Sequence, residues 1–353
     1  MKTKLSFLTG ENVWCFGQED SESDVLPSEV ITRNYDFSQK FLDALINRLY
    51  AKEHYQERCL SIHRPIYNGA LTFGWWNVGL AYGDNINDAQ YKKLIVSKVN
   101  DLIGDIDILG LGEFASEEVF HEIERMIPRN YSIVQLYEDP DQRLSFDTAV
   151  IFNKASVLIN DSVDKEKCNM FWADGAVIPR QYRIAQKVRF RSVALNSDFD
   201  IYFVHWRQHD GAYESERKRK AGEYIHRAAF GDRGQNLKDS VAVLMGDFNA
   251  EPSERVFSDI LVSRSRKFVE KHGGFFNPFW RKLHDENWTI NCGNTSELRI
   301  DKCLFDYIMV SSQFLRLPKF RCTERIYGDR FYRPPGSEHR PVSLTIFWEK
   351  EVG

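Results

Sequence analysis

The segment VAVLMGDFNAEPSE, residues 241–254, sets Asp247 and Asn249 two positions apart at the end of an apolar run. A carboxylate inside a buried strand is costly unless it is paired or binds a metal. At the open end of such a strand it is held rigidly and still meets solvent and ligand. Gly, Asp and Asn are also common turn formers, so a plain turn is the alternative. Other apolar runs finish in the same manner. LTFGWWNV carries Asn77, DILGLGEF carries Glu113, DIYFVHW ends at His205, LFDYIMV holds Asp306, and the loop before the last run supplies Ser337, Glu338 and His339. Singly, each has a structural reading: Asn77 can close a turn, Glu113 can be a paired surface acid, and a strand-end histidine is more often structural than catalytic. Asp306 is harder to set aside, because its apolar neighbours imply burial and a buried carboxylate needs a partner. Their joint occurrence, in this order, favours one active site.

Elements that could position these groups are legible along the chain. From Leu71 onward short apolar strands alternate with amphipathic helices. NINDAQYKKLIVSKVNDLIG has a polar start and a glycine stop, and SEEVFHEIERMI follows as a second helix. YSIVQLY and DTAVIFNK read as strands. IAQKVRFRSVAL and DIYFVHW form a hairpin around Asn196 and Ser197, followed by a helix from about Tyr213 to Phe230. VAVLMGDF, LFDYIMV and PVSLTIFW close the series. Strands in mixed order with helices between them imply sheets covered by helices, a class that says nothing of chemistry by itself. Residues 1–65 differ, with the acidic stretch QEDSESD and then a helix from Phe37 to Ala51.

Composition sets outer limits. The 353 residues suit a large α/β sandwich with an appendage, and 42% hydrophobic with 28% charged residues is ordinary for a globular chain. No apolar run approaches the ~20 residues needed to span a bilayer. The start, MKTKLSFLTGENVWC, is interrupted at Gly10-Glu11-Asn12 and is not read as a leader. The six cysteines are scattered without a CxxC pair, which fits a reducing, intracellular (cytoplasmic) compartment and disfavours a structural zinc. A net charge of −4 argues against coating nucleic acid by bulk electrostatics, so phosphate binding would need local basic clusters or a bound cation.

The order WWNV, GLGEF, FVHW, GDFN, FDYIMV and SEHRPV resembles the endonuclease/exonuclease/phosphatase superfamily, the DNase-I-like hydrolases, over about Phe73 to Ile346. The resemblance implies a four-layer α/β sandwich of two packed mixed β-sheets flanked by helices, formed by residues 66–353, with residues 1–65 as an extension outside it. It implies a phosphodiester hydrolase dependent on Mg²⁺, with Mn²⁺ as the alternative ion. In that scheme Glu113 is the principal metal ligand, with Asn77 as a further ligand or water holder. Asp247 takes a proton from the attacking water and Asn249 orients it; spacing of two along a strand would turn both to one side while Phe248 packs inward. His339 stands at the phosphate with Asp306 on its other ring nitrogen, and His205 donates to a phosphoryl oxygen. The family usually has Asp before the last histidine. Here Glu338 stands there, a metal-ligand candidate displaced by one methylene.

The remaining features separate substrates. In DRFYRPPGSEHRP, Arg330 and Arg333 flank Phe331 and Tyr332, a combination suited to phosphate pairing and base stacking, while Pro334-Pro335 would stiffen any loop. Arg180 is a weaker candidate for the substrate rim. His205 and His209 are four apart, but Trp206-Arg207-Gln208 reads as a strand end and loop, not a helix presenting a metal pair. The run Glu216 to Lys220 reads as a solvated helix face. The expected substrate is nucleic acid. A small-molecule or lipid phosphate is the alternative, and a catalytically silent binding protein is a third reading with only Glu338 in its favour. Residues 1–65 could take a protein partner.

Overall fold

The computed structural model describes residues 69–349 apart from 82–86, 137–147, 160–165, 173–179, 207–213, 232–240, 255–256, 258–261, 285–287, 292–301 and 329–338. The expected helix at 37–51, Glu338, Arg330 and Arg333 lie outside these residues. So does His209.

The strands of one sheet are β1 (Gly69–Asn77), β2 (Ile108–Gly112), β3 (Tyr131–Leu136), β4 (Thr148–Asn153), β15 (Arg321–Ile326) and β16 (Val342–Trp348). They lie in the order β15-β16-β1-β2-β4-β3. The second sheet is built from β5 (Val157–Ile159), β6 (Glu166–Trp172), β7 (Arg180–Ser192), β8 (Ser197–His205), β9 (Ala242–Asp247), β10 (Val262–Ser263), β11 (Phe275–Phe276) and β14 (Asp306–Ser311). Its order is β10-β11-β14-β9-β8-β7-β5, with β6 also paired to β7. A small ribbon, β12 (Ile290–Asn291) with β13 (Lys302–Cys303), stands apart. Both large sheets mix parallel and antiparallel pairs: β1 runs parallel to β2 and antiparallel to β16, and β8 runs parallel to β9, which is antiparallel to β14.

Period-two alternation assigns the faces. Leu71, Phe73 and Trp75 of β1 join the core between the sheets, whereas Trp76 joins a separate cluster under the helices. Between the sheets Phe73 meets Phe199 edge-on with ring centroids 6.0 Å apart, and Trp75 lies 6.5 Å from Phe203. Outside the first sheet pack α1 (Ala89–Ile103) and α2 (Glu117–Met126). The helix α1 buries Tyr91, Ile95, Val99 and Leu102, spaced three or four apart, and Asp88 caps it by accepting from the amides of Gln90 and Tyr91. On the far side α3 (Glu214–Phe230) places Ala221, Ile225 and Ala229 against the second sheet. This is the expected four-layer sandwich. Shorter α4 (Arg266–His272) and α5 (Ser312–Leu315) complete the α-helices among the described residues.

Strand direction decides where the polar ends gather. Because β1 is parallel to β2 and β8 to β9, the C-terminal ends within each pair emerge together. Asn77 pairs in register with Gly112, and His205 with Asp247. The antiparallel β14 enters at that same end, so Asp306 stands opposite Asp247.

Candidate active site

Six of the residues singled out in the sequence meet at this end of the sandwich. Asn77 Nδ2 donates to Glu113 Oε1 at 3.0 Å and to Asp247 Oδ2 at 3.3 Å, bridging the two sheets. His205 Nε2 lies 3.5 Å from Glu113 Oε1 and 3.8 Å from Asp247 Oδ2. His339 Nε2 is also 3.8 Å from Asp247 Oδ2, while its Nδ1 lies 2.7 Å from Asp306 Oδ2. Asp247 and Asp306 are essentially closed to solvent, whereas Glu113 is partly exposed. The floor is aromatic: Phe248 stacks on Tyr307 with centroids 4.4 Å apart, and Trp206 packs edge-on against Phe248.

Local backbone presents the groups in ways that strand alternation did not anticipate. The strand β2 stops at Gly112, and Glu113 turns into the left-handed region with φ of 53°. For a residue with a Cβ this conformation costs roughly 1–2 kcal/mol. It lets the Glu113 carbonyl accept the Leu80 amide at 2.9 Å, tying the ends of β1 and β2 together. Asn249 is also left-handed, φ 46°, because β9 ends at Asp247 and the chain turns there. Its amide donates to Asp247 Oδ1 at 2.9 Å, and its side-chain Nδ2 donates to the Trp206 carbonyl at 2.7 Å. Asn249 therefore reaches Asp247 through an aspartate turn, not through a continuing strand; Phe248 does pack inward as expected.

Electrostatics sort the groups. Burial pushes the Asp247 carboxyl up, the Asp306 charge adds to it, and the His339 cation and the Asn249 amide oppose, leaving it at about 7. Burial alone would depress the His339 imidazole, yet the charges of Asp306, Asp247 and Glu113 outweigh it and hold the ring up at about 10. Asp306 thus faces a cationic ring that is donor on both nitrogens.

Three carboxylates therefore surround one imidazolium, with the Asn77 amide beside them, its oxygen accepting the Gly79 amide at 3.2 Å. That excess of oxygen-bound negative charge is the donor chemistry a hard divalent ion takes. One ligand atom each from Asp247, Asp306 and His339 lies within 4.8 Å of the others. Glu113 adjoins this group through Asn77, which donates to both Glu113 and Asp247.

Two helping residues carried no sequence signal. The Thr289 hydroxyl accepts the amides of Phe305 and Asp306 at 2.9 and 3.0 Å, and its carbonyl accepts the Arg340 amide at 2.6 Å, so one buried threonine holds both segments that present Asp306 and His339. Lys218, buried on α3, donates from Nζ to the Asn249 carbonyl at 2.5 Å. Its place in a charged run predicts a solvated helix face; the structure corrects this, since α3 turns that position inward. Arg180 opens β7, and its side chain is not among those described.

A model of the Endonuclease/Exonuclease/phosphatase family matches residues 79–337. The chain belongs to this family. Its members generally hydrolyse phosphoesters and depend on divalent metal. Among solved structures, an endonuclease/exonuclease/phosphatase family protein from Bacteroides thetaiotaomicron is similar with a TM-score of 0.53 at 18% identity, over 81% of this chain and 98% of that one. A conserved protein from Enterococcus faecalis gives 0.52 at 15% identity, over 79% and 100%. D. rerio TDP2 complexed with single strand DNA product gives 0.51 at 13%, over 79% and 99%. At these identities the likeness is one of fold. A comparison with curated proteins returned no match. No described helix is long and apolar enough to cross a membrane.

Proposed function

We propose that the protein is a divalent-metal-dependent phosphodiester hydrolase acting on nucleic acid, with residues 66–353 as its catalytic unit. The observation that carries this reading is the convergence on Asp247, a carboxyl held near neutrality, of Asn77, His205 and His339 from three other segments. A general base works best when its pKa lies close to the working pH.

In this reading Asp247 takes the proton of the attacking water as the water oxygen bonds to phosphorus. Asn249, locked in its turn, fixes the direction of attack. His339, kept cationic by Asp306, and His205 stabilise negative charge gathering on the phosphoryl oxygens as the ester bond breaks. Glu113, Asn77 and Glu338 would hold the ion, Mg²⁺ or Mn²⁺, which when bound neutralises charge on the phosphate. Arg180, Arg330 and Arg333 would line the substrate rim.

Nucleic acid is favoured over a small phosphate by the Arg-aromatic sequence RFYR before His339, which suits both backbone and base. The similar D. rerio TDP2 was solved with a single strand DNA product, which supports the same choice. The test is a hydrolysis panel with Mg²⁺ and Mn²⁺ over single- and double-stranded DNA, RNA, abasic DNA, cyclic dinucleotides and phosphoinositides, with Asp247→Asn as blank. Turnover of the nucleic acids above the blank supports the reading; turnover confined to phosphoinositides moves the substrate to lipid; none anywhere leaves the silent-binder reading.

A further inference from the structure

The tryptophan two residues before Asn77 takes no part in the proposed hydrolysis. Trp75 is fully buried on β1, in the first sheet, and its indole Nε1 donates across the sandwich to Asp306 Oδ1 at 3.0 Å. The other oxygen of Asp306, Oδ2, faces His339 Nδ1 at 2.7 Å. Each oxygen of this carboxylate thus meets one ring N–H.

The space for the indole is built by the neighbouring strand. Gly110 pairs in register with Trp75. A Cβ on Gly110 would stand 2.9 Å from Trp75 Cε3 and 2.8 Å from Phe203 Cε1, and one on Gly112 would stand 2.5 Å from Trp75 Cζ2. The Gly-Leu-Gly spacing opens both gaps on the face toward the second sheet, while Leu111 between them packs under the helices. A buried indole N–H needs an acceptor, and a backbone carbonyl can serve: Trp76 uses the His339 carbonyl at 3.2 Å and Trp206 the Ile184 carbonyl at 3.1 Å. Trp75 instead takes the carboxylate that orients the imidazole.

Asp306 has two possible duties. Its carboxylate lies close enough to Asp247 and His339 for all three to share an ion, and the terminal torsion of an aspartate is soft. A second fixed donor removes that freedom. We propose that Trp75 is a positioning residue, whose indole commits Asp306 to orienting His339 and withholds it from the metal. This rests on the hydrolytic reading of the site. Misplacement of a catalytic group by about 1 Å can cost on the order of 10²-fold in rate.

Trp75→Phe keeps a ring and deletes the donor. With Mg²⁺ and bis(p-nitrophenyl) phosphate, the expected result is a kcat loss of roughly tenfold or more with little change in KM, the pattern of an interaction felt in the transition state. Asp306→Asn supplies the second arm. If Trp75 acts through Asp306, Trp75→Phe adds little to the loss already caused by Asp306→Asn. Full additivity of the two, or an unchanged kcat in folded Trp75→Phe, overturns the proposal. Should Trp75→Phe fail to fold, Gly110→Ala displaces the indole without deleting it, and the same non-additivity with Asp306→Asn is expected. An NMR arm needs no turnover: Trp75→Phe should move the His339 Nδ1 proton resonance, and Asp306→Asn the Trp75 indole proton. Absence of hydrolysis in the wild-type protein sinks the hydrolytic reading, whereas still resonances sink the brace.

Discussion

Two aspartates at opposite ends of the sandwich show what distinguishes the site from the scaffold. Asp107, at the entry to β2, accepts the Thr72 amide at 2.8 Å on one oxygen and the Ser156 hydroxyl at 2.5 Å on the other. Asp247, at the exit of β9, accepts the Asn249 amide but otherwise faces Asn77 and two imidazoles. Burial raises both carboxyls. The hydrogen bonds of Asp107 come from neutral groups close to the strand it ties down. The groups around Asp247 come from other strands and both sheets, include ionisable rings, and sit beside a second buried carboxylate. Burial alone, then, marks a costly group; its company decides whether it is a rivet or a tool.

Substitution should separate the two sharply. Asp247→Asn is expected to lower kcat by about 10²–10⁴-fold, the usual worth of a positioned base, while circular dichroism stays close to wild type and the melting temperature does not fall. His339→Ala should cost kcat on the same scale or somewhat less, since the remaining groups still bind substrate. Asp107→Asn should do the reverse. It replaces one acceptor with a donor, so chemical denaturation should show a loss of roughly 1–3 kcal/mol, with kcat per folded molecule unchanged. If Asp107→Asn abolished turnover and Asp247→Asn only destabilised the fold, the contrast would be inverted.

A further contrast lies in pH. In metal-free protein, Asp247 at about 7 sits above its unfolded value of 3.8, so the folded state binds the extra proton between them. Its ionisation therefore opposes folding: the penalty is absent below about 4, grows as pH rises, and is complete above about 7. His339 tilts stability the same way at higher pH, with its favourable contribution fully present below 6.5 and lost as pH rises through about 10. Urea titrations from about pH 4 to 10 should show both slopes, with the first missing in Asp247→Asn and the second in His339→Ala.

Much of the site is legible in the sequence because each of its residues interrupts an apolar run. Asn77, His205 and Asp247 end strands, Asp306 begins one, and the family order of motifs gives their partners. Contact across the sandwich is not legible. Trp75 and Asp306 are 231 positions apart, and a tryptophan in an apolar strand looks like core until its indole nitrogen finds a carboxylate. Thr289 sits just before a two-residue strand with no periodic signal. Local conformation is equally hidden: the left-handed turns at Glu113 and Asn249 replace the regular alternation that spacing alone implies. Lys218 falls in a run of charges, where only the packing of α3 reveals which one points inward.

The most direct test of the central claim is cleavage of a single-stranded oligonucleotide by wild-type protein and Asp247→Asn, each stripped with EDTA and then given Mg²⁺. Turnover is expected only in the wild-type protein and only after the ion returns. Equal cleavage by both proteins, or cleavage that persists in EDTA, would contradict that claim.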